Sequence, residues 1–177
     1  MKKLIPLLLV FVMLAGCTGK GPDDIVPSDA TMPEIIDLLC EGVDVPAYEA
    51  TELTKENFEY FAFIPYADGL TGYQADALIN SIPHSLVLVR SENGDTADIA
   101  QKMLDNADVR KWICVSADVK QTIYTKHYVV LVMSSAEVVG GVIANFETAV
   151  NDGEATTLDA VAVAPDASAD SGAPVIG

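Results

Sequence analysis

Two uninterrupted apolar runs constrain the fold of this chain more than any other part of its sequence. They are residues 85–90 (Ser-Leu-Val-Leu-Val-Arg) and residues 127–133 (His-Tyr-Val-Val-Leu-Val-Met), and both are rich in β-branched side chains. Continuous runs of this length are typical of central strands in a sheet. The fold must therefore contain a buried sheet built around these two segments.

Capping signals place helices before, between and after these strands. Thr31 and Glu34 fit a capping box that begins a first helix. A second helix begins at residues 95–96, after an Asn-Gly turn. Ser134 and Glu137 fit another capping box, and the segment that follows carries an apolar stripe at helical spacing.

Four other segments resemble strands in composition or pattern. Residues 58–64 are aromatic, residues 112–117 predict a further strand, and residues 119–126 continue its pairing toward residues 127–133. Residues 70–82 alternate as a strand does but also fit a helix, and we favour a strand. The expected class is α+β: a two-layer sandwich with helices packed on one face of a largely antiparallel sheet.

The N-terminus has the parts of a secretory signal peptide. Residues 1–3 are Met-Lys-Lys, residues 4–14 form an apolar run of eleven, and small residues precede Cys17. A membrane-spanning helix needs about 20 apolar residues, so this run is too short for a permanent span. We therefore assign residues 1–16 to a signal peptide.

The residues at the cleavage site, Leu14-Ala15-Gly16-Cys17, resemble the lipobox of bacterial lipoproteins. The resemblance implies that Cys17 is the lipid attachment residue, with palmitate among its acyl chains. It also implies a protein anchored to the extracytoplasmic face of the cell membrane. Two acyl chains hold a protein stably where one binds reversibly. The alternative is an ordinary secreted protein cut near Ala15 or Gly16.

Low-complexity segments flank the domain expected at residues 31–150. Residues 17–30 are polar, with Gly and Pro, and predict a flexible tether of roughly 20 Å after the lipidated cysteine. Residues 151–177 have five acids and no Lys, Arg or aromatic residue, which predicts a disordered acidic tail. Residues 158–163 within it remain an alternative short edge strand.

The charge of the chain excludes one class of partner. The formal net charge is −16, and removing Lys2 and Lys3 with the signal peptide leaves eight basic residues against 26 acids, or −18. Nucleic-acid binding requires a basic surface, so no nucleic-acid partner is expected. The same charge opposes contact between the domain and an anionic membrane surface.

One window, residues 109–127, departs from this negative charge because it has four basic residues and a single acid. It could form a recognition face for an anionic partner, such as an envelope polymer or an acidic protein segment. The alternative is that its lysines decorate an exposed hairpin and discourage edge pairing. The candidate partner-binding residues are Arg110, Lys111, Trp112, Lys120 and Lys126.

The cysteines and histidines give no basis for a catalytic residue, a metal or a cofactor. Cys40 and Cys114 lie in apolar runs, which favours two buried thiols over a disulfide, the alternative outside the cytoplasm. His84 and His127 do not lie at zinc-ligand spacing with each other or with a cysteine. His84 and Ser85 are strand neighbours that point to opposite faces, so they form no catalytic pair.

Three segments resemble an uncharacterised domain family of small lipoproteins, commonly found in monoderm gut bacteria. They are residues 83–90, 110–115 and 128–134, with a capped helix between the first two and a helix after the last. The likeness covers about residues 31–150. It implies a lipoprotein with an α+β fold and implies no activity, because the family itself is of unknown function.

The expected function is that of a non-enzymatic interaction or accessory module of the cell envelope, tethered to the membrane. The alternative is a small-ligand-binding lipoprotein associated with transport, and an enzyme is third. An exposed apolar or basic patch would favour the first, a lined cavity the second, and converging titratable groups the third.

Overall fold

The computed structural model describes residues 30–162. Its helices are α1 (Met32–Cys40), α2 (Phe58–Ala62), α3 (Thr96–Asn106) and α4 (Ala136–Ala149). Its strands are β1 (Thr51–Glu52), β2 (Leu70–Asp76), β3 (Ser85–Ser91), β4 (Val119–Tyr124), β5 (Tyr128–Ser134), β6 (Thr156–Thr157) and β7 (Val161–Ala162). Within this range no helix has the length and apolar character needed to cross a membrane. The predicted signal peptide and Cys17 lie outside the described residues.

All the strands belong to one sheet, and every pairing in it is antiparallel. The strand order is β1-β2-β3-β5-β4-β6, and β7 also pairs with β4. The two apolar runs are neighbours at its centre, where Leu86 of β3 lies opposite Ala75 of β2 and Val132 of β5. The predicted α+β class and its antiparallel sheet are confirmed; the strand favoured for residues 70–82 is confirmed for residues 70–76, and the rest of that segment is a loop.

The helices cover both faces of the sheet rather than the one face predicted. On β3, Leu86 and Leu88 belong to the core that contains α1 and α4. The intervening Val87 and Val89 belong to a second core that contains α2 and α3. Successive strand residues point to opposite faces, so a continuous apolar strand needs cover on each side. One helical layer would leave half of each central strand in water.

Side-chain caps fix the start of two helices. Glu34 Oε2 accepts hydrogen bonds from the backbone N–H and the hydroxyl of Thr31, each 2.7 Å long, as expected for the start of α1. The cap of α4 lies one residue later than predicted, because the hydroxyl of Ser135 accepts from the backbone N–H of Val138. Ser134 instead ends β5 and is buried.

Residues 58–64 form a short helix, so the strand predicted there is wrong. Phe58 and Ala62 are one helical turn apart and both are fully buried. Phe63 then adopts a left-handed conformation with φ of 60° and ends the helix. Phe58 packs where Gly72 of β2 has no side chain, since a Cβ at that position would lie 2.8 Å from its ring.

The disordered tail predicted from residue 151 is wrong for residues 151–162, because β6 and β7 pair with β4. The Asp152 clamp holds this segment at the β4–β5 turn: Asp152 Oδ2 accepts from the backbone N–H of His127 at 2.6 Å and from the hydroxyl of Thr125 at 3.0 Å. Asp152 Oδ1 lies 2.8 Å from His127 Nδ1. Polar clamping and edge pairing thus order a segment with little apolar surface. Residues 163–177 lie outside the described range.

Candidate functional site

Two loops at one end of the sheet carry aliphatic side chains into solvent. The β2–β3 loop (residues 77–84) and the α3–β4 segment (residues 107–118) meet at this end, and we call them together the apolar tip. Leu78, Ile79 and Ile113 are 64%, 59% and 77% exposed. Isolated exposed aliphatic residues are ordinary, whereas contiguous exposed apolar patches are found at interaction sites.

A desolvated ion pair holds the two loops of the apolar tip together. Lys111 Nζ lies 2.8 Å and 3.1 Å from the two carboxylate oxygens of Asp76, at the end of β2. It also donates to the hydroxyl of Ser85 at 2.9 Å, at the start of β3. Only 10% of the Lys111 side chain is exposed. The lysine therefore ties the α3–β4 segment to both ends of the β2–β3 loop.

Aromatic rings cover the same ammonium group. Lys111 Nζ lies 5.6 Å from the ring centroid of Phe61 and 5.2 Å from that of Trp112. Cation–π contacts at this distance strengthen as water is removed. The ring of Tyr60, which is largely exposed, meets Phe61 edge-on at 4.9 Å. The end of α2 therefore packs against the apolar tip.

Residues 112–117 form a loop rather than the predicted strand. Cys114 has a φ of 63°, a left-handed conformation that non-glycine residues rarely adopt. A hydrogen bond of 3.0 Å from the N–H of Ala117 to the carbonyl of Val109 closes the loop. Strained backbone of this kind persists where its surroundings enforce it, and it gathers at functional sites. Ile113, the residue before Cys114, is exposed.

The structure confirms two free cysteines and corrects the burial of one. Cys40 lies in the core beside α4, and its burial raises the pKa of the thiol. Cys114 is exposed on the apolar tip, so the prediction of a buried thiol there is wrong. The apolar run around Cys114 misled the prediction because its Trp packs against Lys111 while its Ile and Cys face water.

The five predicted partner-binding residues do not form one basic face. Arg110, Lys111, Trp112 and Lys120 lie at the end of the sheet where β4 begins, whereas Lys126 lies in the β4–β5 turn at the opposite end. A strand rises about 3.3 Å per residue, which places Lys126 roughly 20 Å from Lys120. Whether any of these residues binds a partner stays a prediction.

Two of the five are also engaged internally. Lys111 forms the ion pair described above, and Lys120 Nζ donates to the carbonyl of Ala107 at 2.9 Å. Burial lowers the pKa of Lys120, against the nearby acids Asp105 and Asp108. Of the predicted cations, Arg110 is the one that the apolar tip turns toward solvent. This surface is therefore more aliphatic than basic.

His84 and Ser85 are buried on opposite sides of the sheet. His84 Nδ1 lies 3.2 Å from the hydroxyl of Ser134, while Ser85 contacts Lys111 on the other face. Burial lowers the pKa of His84 to about 4; Lys111 adds to this shift and Asp76 opposes it. The imidazole is thus neutral at physiological pH and shares no proton with Ser85.

Within residues 30–162, no three His, Cys, Asp or Glu side chains are grouped so that they could hold a metal ion. Comparison of the chain with protein-family models, curated proteins and solved structures finds no match. The apolar tip and its ion pair are therefore the features from which a function can be argued.

Proposed function

We propose that this chain is a lipid-anchored accessory module on the extracytoplasmic face of the cell membrane, which binds an envelope protein through its apolar tip and carries out no catalysis. The observation that carries the proposal is the exposure of Leu78, Ile79 and Ile113 on loops that a desolvated lysine holds in place. Burying one such side chain completely contributes about 1.5–3 kcal/mol. Three of them would therefore contribute several kcal/mol at the centre of a larger interface.

Charge favours a different protein over a bilayer or a second copy of this chain. The chain has a formal net charge of −16. An anionic lipid surface repels such a domain, and so does an identical domain. A protein whose apolar face is surrounded by a less acidic surface is not repelled in this way. An anionic envelope polymer fits less well, because Lys111 and Lys120 are engaged within the domain.

The position of the chain's entry into the domain is consistent with this arrangement. Residues after the proposed lipid site at Cys17 lead to Thr31, whose helix begins beside Thr71 and Tyr128. That is the end of the sheet opposite the apolar tip. The β2 and β3 strands separate the two ends by roughly 20 Å. The tip can therefore face outward while the lipid remains in the membrane.

Site-specific photocrosslinking in intact cells tests the partner. A benzophenone amino acid placed at Ile113 of the full chain should capture one discrete protein of the envelope. The matched control places it at Gly140, which is exposed on α4 and has open space around it. The Ile113 adduct should disappear when Leu78→Ser and Ile79→Ser are introduced into the same chain.

Three outcomes contradict the proposed partner. They are adducts of equal yield from both positions, an adduct that contains two copies of this chain, and crosslinks to lipid alone. An Ile113 adduct that survives both serine substitutions also counts against the apolar tip, since the partner would then be held elsewhere.

The anchor has a separate test. Cells fed an alkyne-labelled fatty acid should label the natural chain and not Cys17→Ser, and the variant should leave the membrane fraction. Cys114→Ser serves as the control, because it removes an exposed thiol and should keep the label. Label retained by Cys17→Ser would show that lipid is attached at another residue.

A further inference from the structure

A cleft lies at the end of the sheet opposite the apolar tip. The row Thr71, Arg90 and Tyr128 runs across β2, β3 and β5 as directly opposed pairs. These side chains lie on the face that α1 covers, but α1 begins only at Met32, so its first turn leaves the row open to solvent. The resulting cleft has a volume of about 440 Å³. Small-ligand sites typically enclose about 300–1,000 Å³.

Hydroxyl groups and one guanidinium dominate the lining of the cleft. Thr31, Thr71, Tyr73 and Tyr128 each bring a hydroxyl, that of Thr31 already donating to Glu34, and Arg90 brings the only charged side chain among the described lining residues. Desolvation raises the pKa of Tyr73, and the charge of Glu52 and a hydrogen bond to its carboxylate add to the effect. The phenol oxygen can still accept a hydrogen bond from a ligand.

Arg90 retains capacity for an anionic ligand. Its Nη1 lies 3.2 Å from Glu92 Oε1; the side chain of Arg90 is 40% exposed and that of Glu92 is 64% exposed. A solvated pair of this kind contributes little, so a ligand can compete for the guanidinium. The planar fork of arginine matches the two oxygens of a carboxylate.

We infer that this cleft binds a sugar that carries a single carboxylate, with Arg90 on the carboxylate and the threonine and tyrosine hydroxyls on the ring hydroxyls. A polyanion is disfavoured because the net charge of −16 repels repeated negative groups. Since the cleft is open along one side, the acidic sugar could be free or could end a longer chain. This site is independent of the partner proposed for the apolar tip.

Titration of the full chain with glucuronate, followed by amide NMR at low ionic strength, tests the inference. The amides of Thr71, Arg90 and Tyr128 should shift together and saturate, with a dissociation constant of about 1 mM, as expected for a small open site. Glucose, which lacks the carboxylate, and acetate, which lacks the ring, should each bind at least about tenfold more weakly, a difference of about 1.4 kcal/mol.

Variants assign the contacts. Arg90→Gln should weaken glucuronate binding about tenfold or more, and Tyr128→Phe, which removes one hydroxyl, by about twofold to fivefold. Arg110→Gln is the matched control, because it removes an exposed arginine at the other end of the sheet and should change nothing. Thermal melts establish that each variant is folded.

Several results would overturn the inference. Acetate binding as strong as glucuronate binding at the same amides would mean simple anion attraction. Glucose binding as strong as glucuronate binding would show that Arg90 does not contact the ligand. Shifts that never saturate, or that persist unchanged in both Arg90→Gln and Tyr128→Phe, would mean that no acidic sugar is bound here.

Discussion

The two histidines of the domain lie at opposite ends of the sheet, and their surroundings differ. His84, at the apolar tip, is fully buried and its Nδ1 faces the hydroxyl of Ser134; its Nε2 has no partner among the described residues. His127, in the β4–β5 turn, is partly exposed and contacts the carboxylate of Asp152. At one end burial keeps the imidazole neutral, while at the other a carboxylate lies beside the imidazole.

The same division holds for the loops. At the clamp end, Asp152 satisfies the backbone and side chain of the turn, so the chain is closed by polar contacts. At the apolar tip, the Lys111 ion pair holds the base of the loops while Leu78, Ile79 and Ile113 stay in water. Folding alone gains nothing from that exposure. The contrast is what the proposed contact predicts: one end is closed by polar contacts, and the other leaves aliphatic side chains in water.

The largest difference between the two ends is expected in mild acid, because protonation of His84 is incompatible with its burial. Above pH 6.5 the imidazole is neutral in both states, and between pH 6.5 and about 4 only the unfolded chain binds the proton. The free energy of unfolding should therefore fall as the pH falls through this window, by up to about 3 kcal/mol. Urea unfolding across the window measures the loss.

In the His84→Gln variant most of the dependence of the unfolding free energy on pH should disappear. In the His127→Gln variant the part of that dependence due to His84 should remain. An identical slope in His84→Gln and the natural chain would show that other groups cause the acid sensitivity. The comparison between the two ends would then lose its electrostatic basis.

Lys111→Met should cost about 2 kcal/mol, because it leaves the Asp76 carboxylate largely buried and unpaired. The estimate lies below the usual range for a buried pair since Asp76 keeps a quarter of its side chain exposed. The double variant Lys111→Met with Asp76→Asn should recover about half of the loss. Urea unfolding of both variants measures this; a loss under about 0.5 kcal/mol in the single variant would refute the pinning role.

Asp152→Asn should cost about 1 kcal/mol and loosen the other end only. Burial opposes ionisation of Asp152, but hydrogen bonds from His127 and Thr125 outweigh it and lower its pKa. The carboxylate therefore stabilises the fold above its ordinary pKa of 3.8, and this contribution is lost as the pH falls through its lowered pKa. Hydrogen exchange should accelerate in residues 151–162 and remain unchanged in residues 77–84.

The smallest effect is expected at the tip surface itself. Leu78→Ser and Ile113→Ser should each change the free energy of unfolding by less than about 0.5 kcal/mol, since both side chains are already in water. Leu86→Ser, in the buried β3 strand, should by contrast cost several kcal/mol, on the order of 3 or more. Thermal melts of the three variants compare them. A large loss at Leu78 or Ile113 would mean that these residues support the fold rather than a contact.

The central part of the fold was predictable because its signals are local. The apolar runs of β3 and β5 are buried on both faces, and the stripe of α4 follows helical spacing. The strand prediction for residues 58–64 is wrong because aromatic composition favours a strand. The joint burial of Phe58 and Ala62 in a helix depends on Gly72, which lies in another strand. That contact is formed only in three dimensions.

The surface of the tip was only partly predictable, for a physical reason. Sequence shows that residues 109–127 are basic, but it does not show which cation turns inward. Lys111 does so because Asp76 and Ser85, both more than 25 residues earlier, meet at one end of the sheet. Leu78 and Ile79 lie in a segment whose pattern fits both a strand and a helix, although the Asn80-Ser81 pair that follows them signals a turn.

The short strands β6 and β7 have a consequence for how the protein behaves at high concentration. They occupy the outer side of β4, which otherwise presents unpaired N–H and C=O groups along the rim of the sheet. An uncovered rim is a template for pairing with another chain. Cutting the protein after Val150 would therefore preserve α1 to α4 and still expose this rim to pairing with other chains. Residues 151–162, which look dispensable by composition, cover that rim.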